Sequence, residues 1–174
     1  MAKPYYSSKG ITIYHGDCRE TLSALSIPAC IVTDPPYGET SLGWDRRISG
    51  WTDLLHSRAP ESAGLWCFGS MRMFLECREE WASWRLAQDL VWEKHNGSGF
   101  HADRFKRVHE HAVQFYKGQW STVFKNPVFT ADASPRTIRR KNRPPHMGDI
   151  GIGAYRSEDG GPRLMRSVIR ARSC

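Results

Sequence analysis

An α/β fold, a sheet with helices on its faces, is what this sequence predicts, and three observations predict it. Short apolar runs alternate with capped helical segments over residues 1–130. One of those runs stops at Asp34-Pro35-Pro36, the mark of a strand that ends abruptly. The 174 residues are 40% hydrophobic and 25% charged, the composition of one soluble globular domain.

The elements follow in order. Ile11–Tyr14 is a short β-rich run. In the GDCRETL segment after it, Asp17 and Glu20 have the spacing of a helix N-cap and its N3 partner, so a helix is expected through Leu25. Cys30–Thr33 reads as a buried strand that carries Asp34 at its carboxyl end. Trp51, Leu54 and Leu55 share a helical face, Gly64–Phe68 is the next apolar strand, and Ser70 caps a helix whose Met71, Phe74, Leu75 and Arg78 lie on one side. Leu86–Trp92 and Val108–Tyr116 are strands joined by the loop KHNGSGFHADRFKR. From Ala131 to Glu158 the text turns to Arg, Pro, Gly and Asn and predicts an irregular excursion, after which Leu164–Ile169 returns as a strand. The expected organisation is therefore a main part over 1–130, a basic region over 131–160 and a returning strand over 161–174.

Charge and cysteines narrow the classes. The net charge is +7; residues 131–174 hold 10 Lys+Arg against 4 Asp+Glu, which places +6 of it there. A localised basic stretch is either a solvated face or the footprint of a polyanion. The five cysteines show no CxxC pair and read as reduced thiols. His95, His101, His109 and His111 crowd together, but no cysteine lies near and the spacing fits no metal motif, so no metal is expected. No apolar run approaches the roughly 18 residues of a membrane span, and MAKPYYSSKG lacks a signal-peptide core. The expected setting is cytoplasmic.

Asp34-Pro35-Pro36-Tyr37 carries the chemistry. Two prolines fix φ and offer no N–H, so carbonyls project without competing donors, and one carboxylate with one carbonyl can converge on an NH2 group. Tyr37 adds a flat face for a base taken out of its stack. The same tetrapeptide also reads as a proline-capped turn with a core tyrosine.

The segments HGDCRETL, IVTDPPYGETSLGWD, LWCFGS, VWEKHNGSGFHADRFKRVHEHAVQFYKG and GGPRLMRSVI, in that order, resemble the β class of amino-methyltransferases that act on adenine N6 or cytosine N4 of DNA, phage or prophage enzymes above all. The resemblance implies a partial Rossmann-like, S-adenosylmethionine-dependent methyltransferase sheet. Asp34 and the Pro35 carbonyl would accept from the target amine, Tyr37 would stack on the flipped base, and Pro36 would hold the loop. Asp17 and Cys18 would lie near the adenine of S-adenosylmethionine, although the capping box alone also explains Asp17. Lys94, Asn96, His101, Arg104 and Arg107 would face double-stranded DNA, and Arg136, Arg139, Arg140, Lys141 and Arg143 fall in the target-recognition region, or on solvated faces. Asp34 in place of serine favours adenine over cytosine.

Members of this class continue into a TQKP-related segment and a DPFxGSG turn that cradles the cofactor; both would follow Cys174. The GDIGIG stretch at 148–153 follows no apolar strand and does not replace that turn. The chain is thus read as the catalytic half of an adenine-N6 enzyme, first as a truncated form, an ordered fragment of a longer enzyme or a gene product cut short, and otherwise as one half of a split enzyme; self-association or pairing with a complementary chain that carries the glycine-rich half is expected. The rivals are a cytosine-N4 enzyme and a catalytically silent DNA-binding module.

Overall fold

The computed structural model describes residues 3–98, 102–139 and 153–172. It divides into two compact units, one of residues 1–124 with 167–174, the other of residues 125–166.

In the first unit, β1 (Tyr6–Ser8) and β2 (Ile11–Ile13) form an antiparallel hairpin of their own, with Ser7 opposite Thr12. The Ile11 run therefore pairs within a hairpin and does not enter the main sheet. Helix α1 (Cys18–Ala24) begins at Asp17, whose carboxylate accepts the Arg19 N–H at 2.8 Å. The cap is thus satisfied at the second helical residue and not at Glu20.

Among the described residues, five strands make the main sheet: β3 (Cys30–Thr33), β4 (Gly64–Gly69), β5 (Arg85–Ser98), β6 (Arg107–Tyr116) and β11 (Val168–Arg170). They lie in the order β11-β5-β6-β4-β3. β3 runs parallel to β4 and β11 parallel to β5, while β6 is antiparallel to both its neighbours. The sheet is mixed, and β3 is its edge. The burial expected of β3 is accordingly not found: Val32 is 66% exposed, because an edge strand has no neighbour on one side.

Leu65 and Cys67 of β4 stand opposite Phe115 and Val113 of β6, so all four share one face. Against that face pack α2 (Trp51–Arg58), α3 (Met71–Glu76) and a 3-10 turn at Arg78–Trp81. Trp81 stacks on Phe115 with ring centroids 4.6 Å apart and planes 4° from parallel. The Trp84 indole N–H donates to the Thr52 carbonyl at 3.2 Å, which satisfies a buried donor.

Ser70 caps α3 through the Met73 N–H, at 3.0 Å. The buried side of that helix is Met73 with Phe74 against the core, whereas Met71 and Leu75 are exposed; six residues turn only one narrow stripe inward. β5 runs on to Ser98, so Lys94 and Asn96 lie in a strand and not in the loop that follows. The ladder with β6 is irregular between Glu93 and Ser98.

The second unit pairs β7 (Phe129–Thr130) with β10 (Arg163–Leu164), and β8 (Arg136–Arg139) with β9 (Ala154–Ser157), both antiparallel. The stretch read as irregular therefore contains a hairpin ladder, and the run read as one returning strand splits between β10 here and β11 in the main sheet. Residues 140–152, with Arg140, Lys141, Arg143 and most of GDIGIG, lie outside the described residues, as does His101. No described helix is long and apolar enough to cross a membrane.

Candidate functional site

β3 delivers Asp34 to the carboxyl end of a parallel strand, where the chain leaves the sheet and the next two residues have no N–H to donate. Asp34 stays exposed, and the Tyr37 hydroxyl donates to its Oδ1 at 2.9 Å. Tyr37 is half-buried against the core. Burial, then the bond to Asp34 and the nearby Glu110 charge, push its phenol far above the ordinary range. It therefore remains a protonated donor that aims the Asp34 carboxylate. Gly38 follows at φ 70°, and a Cβ there would stand 3.0 Å from Arg47 Cγ, so both backbone and space call for glycine.

The chain beyond Gly38 is gripped by residues that sequence reasoning missed. Asp45, buried at 7% exposure, accepts the N–H groups of Gly38, Glu39 and Thr40 at 2.8, 3.0 and 2.7 Å. Bonds from Thr40 first, then the Gly38, Thr40 and Glu39 amides, hold its carboxyl below the usual carboxylate range. Glu39 accepts from the Ser70 hydroxyl and from the Arg107 guanidinium, the latter at 3.0 Å. Arg47 pairs with Glu80 at 3.1 Å. No short motif advertises these residues, because their partners are set by the path of the loop.

Beside the prolines opens a cavity of about 330 Å³, lined by Cys18, Leu22, Thr33, Pro35, Pro36 and Arg47 among others. The lining is mostly apolar, with Thr33 and Arg47 its polar exceptions, and Arg47 Nη1 is buried with no hydrogen-bond partner among the described residues. Cys18 and the prolines thus line one space. Desolvation raises the Cys18 thiol, so it is a neutral wall. Asp17 does not line the cavity; its carboxylate caps α1 and takes the Arg19 guanidinium at 2.6 Å, which holds it down to about 2.

A second hollow, of about 520 Å³, is lined by Glu39, Ser70, Arg104, Phe105, Arg107 and His111 among others. Phe105 on its rim is fully exposed. Arg104 lies in the loop, bound to Asp103 at 2.6 Å, and Arg107 starts β6. Lys94 binds Glu110 across the β5–β6 pair and sits 4.9 Å from the Trp92 ring centre, while Asn96 is exposed on β5. Glu110, whose charge also reaches the Tyr37 phenol, is a further residue sequence reasoning left unassigned. Arg136 and Arg139 stand on β8 of the second unit. Alternation along β8 and its register with β9 put Arg139 with Arg156 on one face of that hairpin, and Arg136 with Tyr155 on the other.

Residues 29–161 of the 174 match the family model for N6/N4 methyltransferases, described as DNA methylase. No curated protein matches the chain. Among solved structures, it resembles the M1.HpyAVI–SAM complex at 19% identity and TM-score 0.47, covering 75% of this chain and 60% of that one. M1.HpyAVI without that ligand in its description gives 19% identity and TM-score 0.47, over 60% of this chain and 54% of that one. TTHA0409 of Thermus thermophilus gives 18% and 0.40, over 65% and 54%. The chain thus spans little more than half the length of these structures.

Proposed function

The chain belongs to the DNA methylase family, and from that premise we propose that it carries the amine-acceptor site of a DNA adenine-N6 methyltransferase. The observation that carries this reading is Asp34 at a parallel strand's carboxyl end, aimed by Tyr37 and followed by two prolines beside an apolar cavity.

The cavity suits the proposed methyl donor. Its volume falls within the range of roughly 300–1,000 Å³ usual for small-molecule sites, its apolar walls suit a flat ring, and the unpartnered Arg47 Nη1 suits a carboxylate. S-adenosylmethionine, when bound, supplies an electrophilic methyl group on a sulfonium. Cys18, Pro35 and Pro36 would wall that ligand and Arg47 would hold its charged end, with Asp17 at the start of α1 nearby.

The chain's own work is positioning and electrostatics. Asp34 and the Pro35 carbonyl accept from the exocyclic N–H groups of a base flipped out of double-stranded DNA, which turns the nitrogen lone pair toward the methyl carbon. Asp34 would then take the proton that the methylated nitrogen must lose and pass it to water. Tyr37 keeps Asp34 aimed and offers the base its ring edge or face. Asp34 stands where the cytosine-N4 enzymes of the resembled class more often carry serine, and that resemblance favours adenine as the target. Lys94, Asn96, Arg104 and Arg107 would border the DNA, and the second unit, with Arg136 and Arg139, would serve target recognition.

Digestion to nucleosides and mass spectrometry, after incubation with S-adenosylmethionine carrying a deuterated methyl and adenine-unmethylated double-stranded DNA, tests this. Labelled N6-methyladenine is expected. Labelled N4-methylcytosine would replace the base assignment, and DNA binding with no labelled product would leave a silent binding module.

A further inference from the structure

We propose that Asp45 is a positioning residue for this reaction: it grips the backbone of Gly38–Thr40 so that the Asp34–Tyr37 loop presents its carboxylate and carbonyl to the target amine. The inference rests on the function proposed above and extends it to a residue outside the strand-end motif.

The argument begins with what the two prolines lack. Pro35 and Pro36 have no N–H, so no acceptor can hold that part of the loop through backbone donors. Its geometry must be imposed from the two ends. Upstream, the ladder between β3 and β4 does this as far as Thr33. Downstream, the first available N–H groups after the Tyr37 ring are those of Gly38, Glu39 and Thr40, and all three converge on the Asp45 carboxylate.

Successive N–H groups pointing inward make an anion-binding concavity, here filled by the chain's own acid. Gly38 at φ 70° provides the left-handed residue that such a concavity needs. Asp45 is itself anchored: its N–H donates to the Leu42 carbonyl at 3.0 Å, and the Arg46 N–H to that of Trp44 at 2.8 Å. Arg47, two residues on, lies under Gly38 and is tied to Glu80. Asp45 is therefore the link through which the loop's free end is fastened to a braced turn.

Both carboxylate oxygens are in use, Oδ1 by Gly38 and Oδ2 by Glu39 and Thr40. This separates a grip from mere space-filling. Asp45→Asn keeps the shape but turns an NH2 toward a backbone donor, so a space-filling residue tolerates it and a gripping one does not.

The test uses the full chain as wild type, Asp45→Asn and Asp45→Ala, with methyl transfer to double-stranded DNA, DNA affinity and amide hydrogen exchange as readouts. Both variants should lower kcat about 100-fold, the scale of an ångström-sized misplacement. KM for DNA should stay within about threefold, and exchange should quicken at Gly38–Thr40 but not in β4 or β6. In the wild type, the Gly38–Thr40 amides should be protected like strand amides, a measurement that stands even if the variants fail to fold. Free-peptide exchange rates there in the wild type would overturn the proposal. So would wild-type kcat in Asp45→Asn, or an equal loss of DNA affinity and turnover. A wild-type chain that binds DNA but transfers no methyl to it defeats the functional reading and this role with it. An active wild type matched by an active Asp45→Asn defeats this role alone.

Discussion

Asp34→Ala removes the side chain proposed as the amine acceptor at the strand end, while the residues expected to border DNA stay in place. Methyl transfer should fall by at least about a thousandfold, with DNA affinity held within a few-fold, the pattern of a contact made in the transition state. Tyr37→Phe deletes the 2.9 Å bond that aims Asp34 but keeps the ring; a loss of roughly tenfold in kcat is expected, in line with one hydrogen bond of about 1–1.5 kcal/mol. Steady-state kinetics with a binding assay separates the two effects. The cysteines offer a check of burial that is independent of activity. Burial first, then the Asp34 charge, push the Cys67 thiol up to about 12, so in the native chain at pH 8 iodoacetamide should label exposed Cys30 and spare Cys67. Asp45 adds a pH dependence whose sign follows from its lowered carboxyl. Its contribution is present above the ordinary unfolded pKa and is lost as pH falls through the lower folded value. Protection of the Gly38–Thr40 amides should therefore persist into acid below the usual carboxylate range.

The β5–β6 pair and the β8–β9 hairpin are the elements proposed to border nucleic acid. Phe105 sits fully exposed between β5 and β6 in sequence, flanked by Arg104, Lys106 and Arg107. A side chain with no packing partner contributes little to folding, so Phe105→Ala should leave the melting temperature unchanged. DNA affinity should drop by about 1–3 kcal/mol if the ring stacks on a base. Unchanged affinity by fluorescence anisotropy would return Phe105 to solvent. On the β8–β9 hairpin, Arg139 and Arg156 share a face. If that face meets phosphates, replacing both with Gln should flatten the dependence of log K on log salt by up to about 2. A slope that does not move would make the hairpin a solvated surface. Lys94 behaves differently from the basic loop residues, because Glu110 already neutralises it. Its removal should act through the Glu110 environment beside Tyr37 more than through the salt slope.

At the scale of the molecule, one core carries the first unit. Trp81 is stacked on Phe115 and edge-on to Trp51 at 5.8 Å, so it joins the 3-10 turn and α2 to the sheet face that also backs β3. Trp81→Ala should cost about 3–5 kcal/mol, read as a lowered denaturation midpoint. The same core reaches Tyr37, Leu22 and Ile31, so the strand-end loop, α1 and β3 are seated on a single packed layer. The second unit, residues 125–166, interrupts the chain between β6 and β11, and β11 must pair with β5 after that excursion. Its pairing therefore depends on a contact between residues about 77 apart in sequence, Val91 and Val168.

Local chemistry was enough to place the strand-end loop. Apolar runs bounded by Gly and Pro marked β3, β4 and the cores of β5 and β6, Asp17 and Ser70 announced their helices, and Asp34-Pro-Pro-Tyr37 marked the strand-end loop on which the proposed site rests, because caps, prolines and strand ends act over a few residues. What depends on distant partners had to wait for the tertiary structure. That β3 is an edge, that β2 pairs only with β1, and that 131–158 contains a hairpin follow from pairing, which a period-2 pattern does not reveal. The same holds for Asp45, Glu39 and Glu110. Each is an ordinary acid in the text, and each acquires its part only when folding brings to it three loop amides, a serine and an arginine, or a lysine across a ladder.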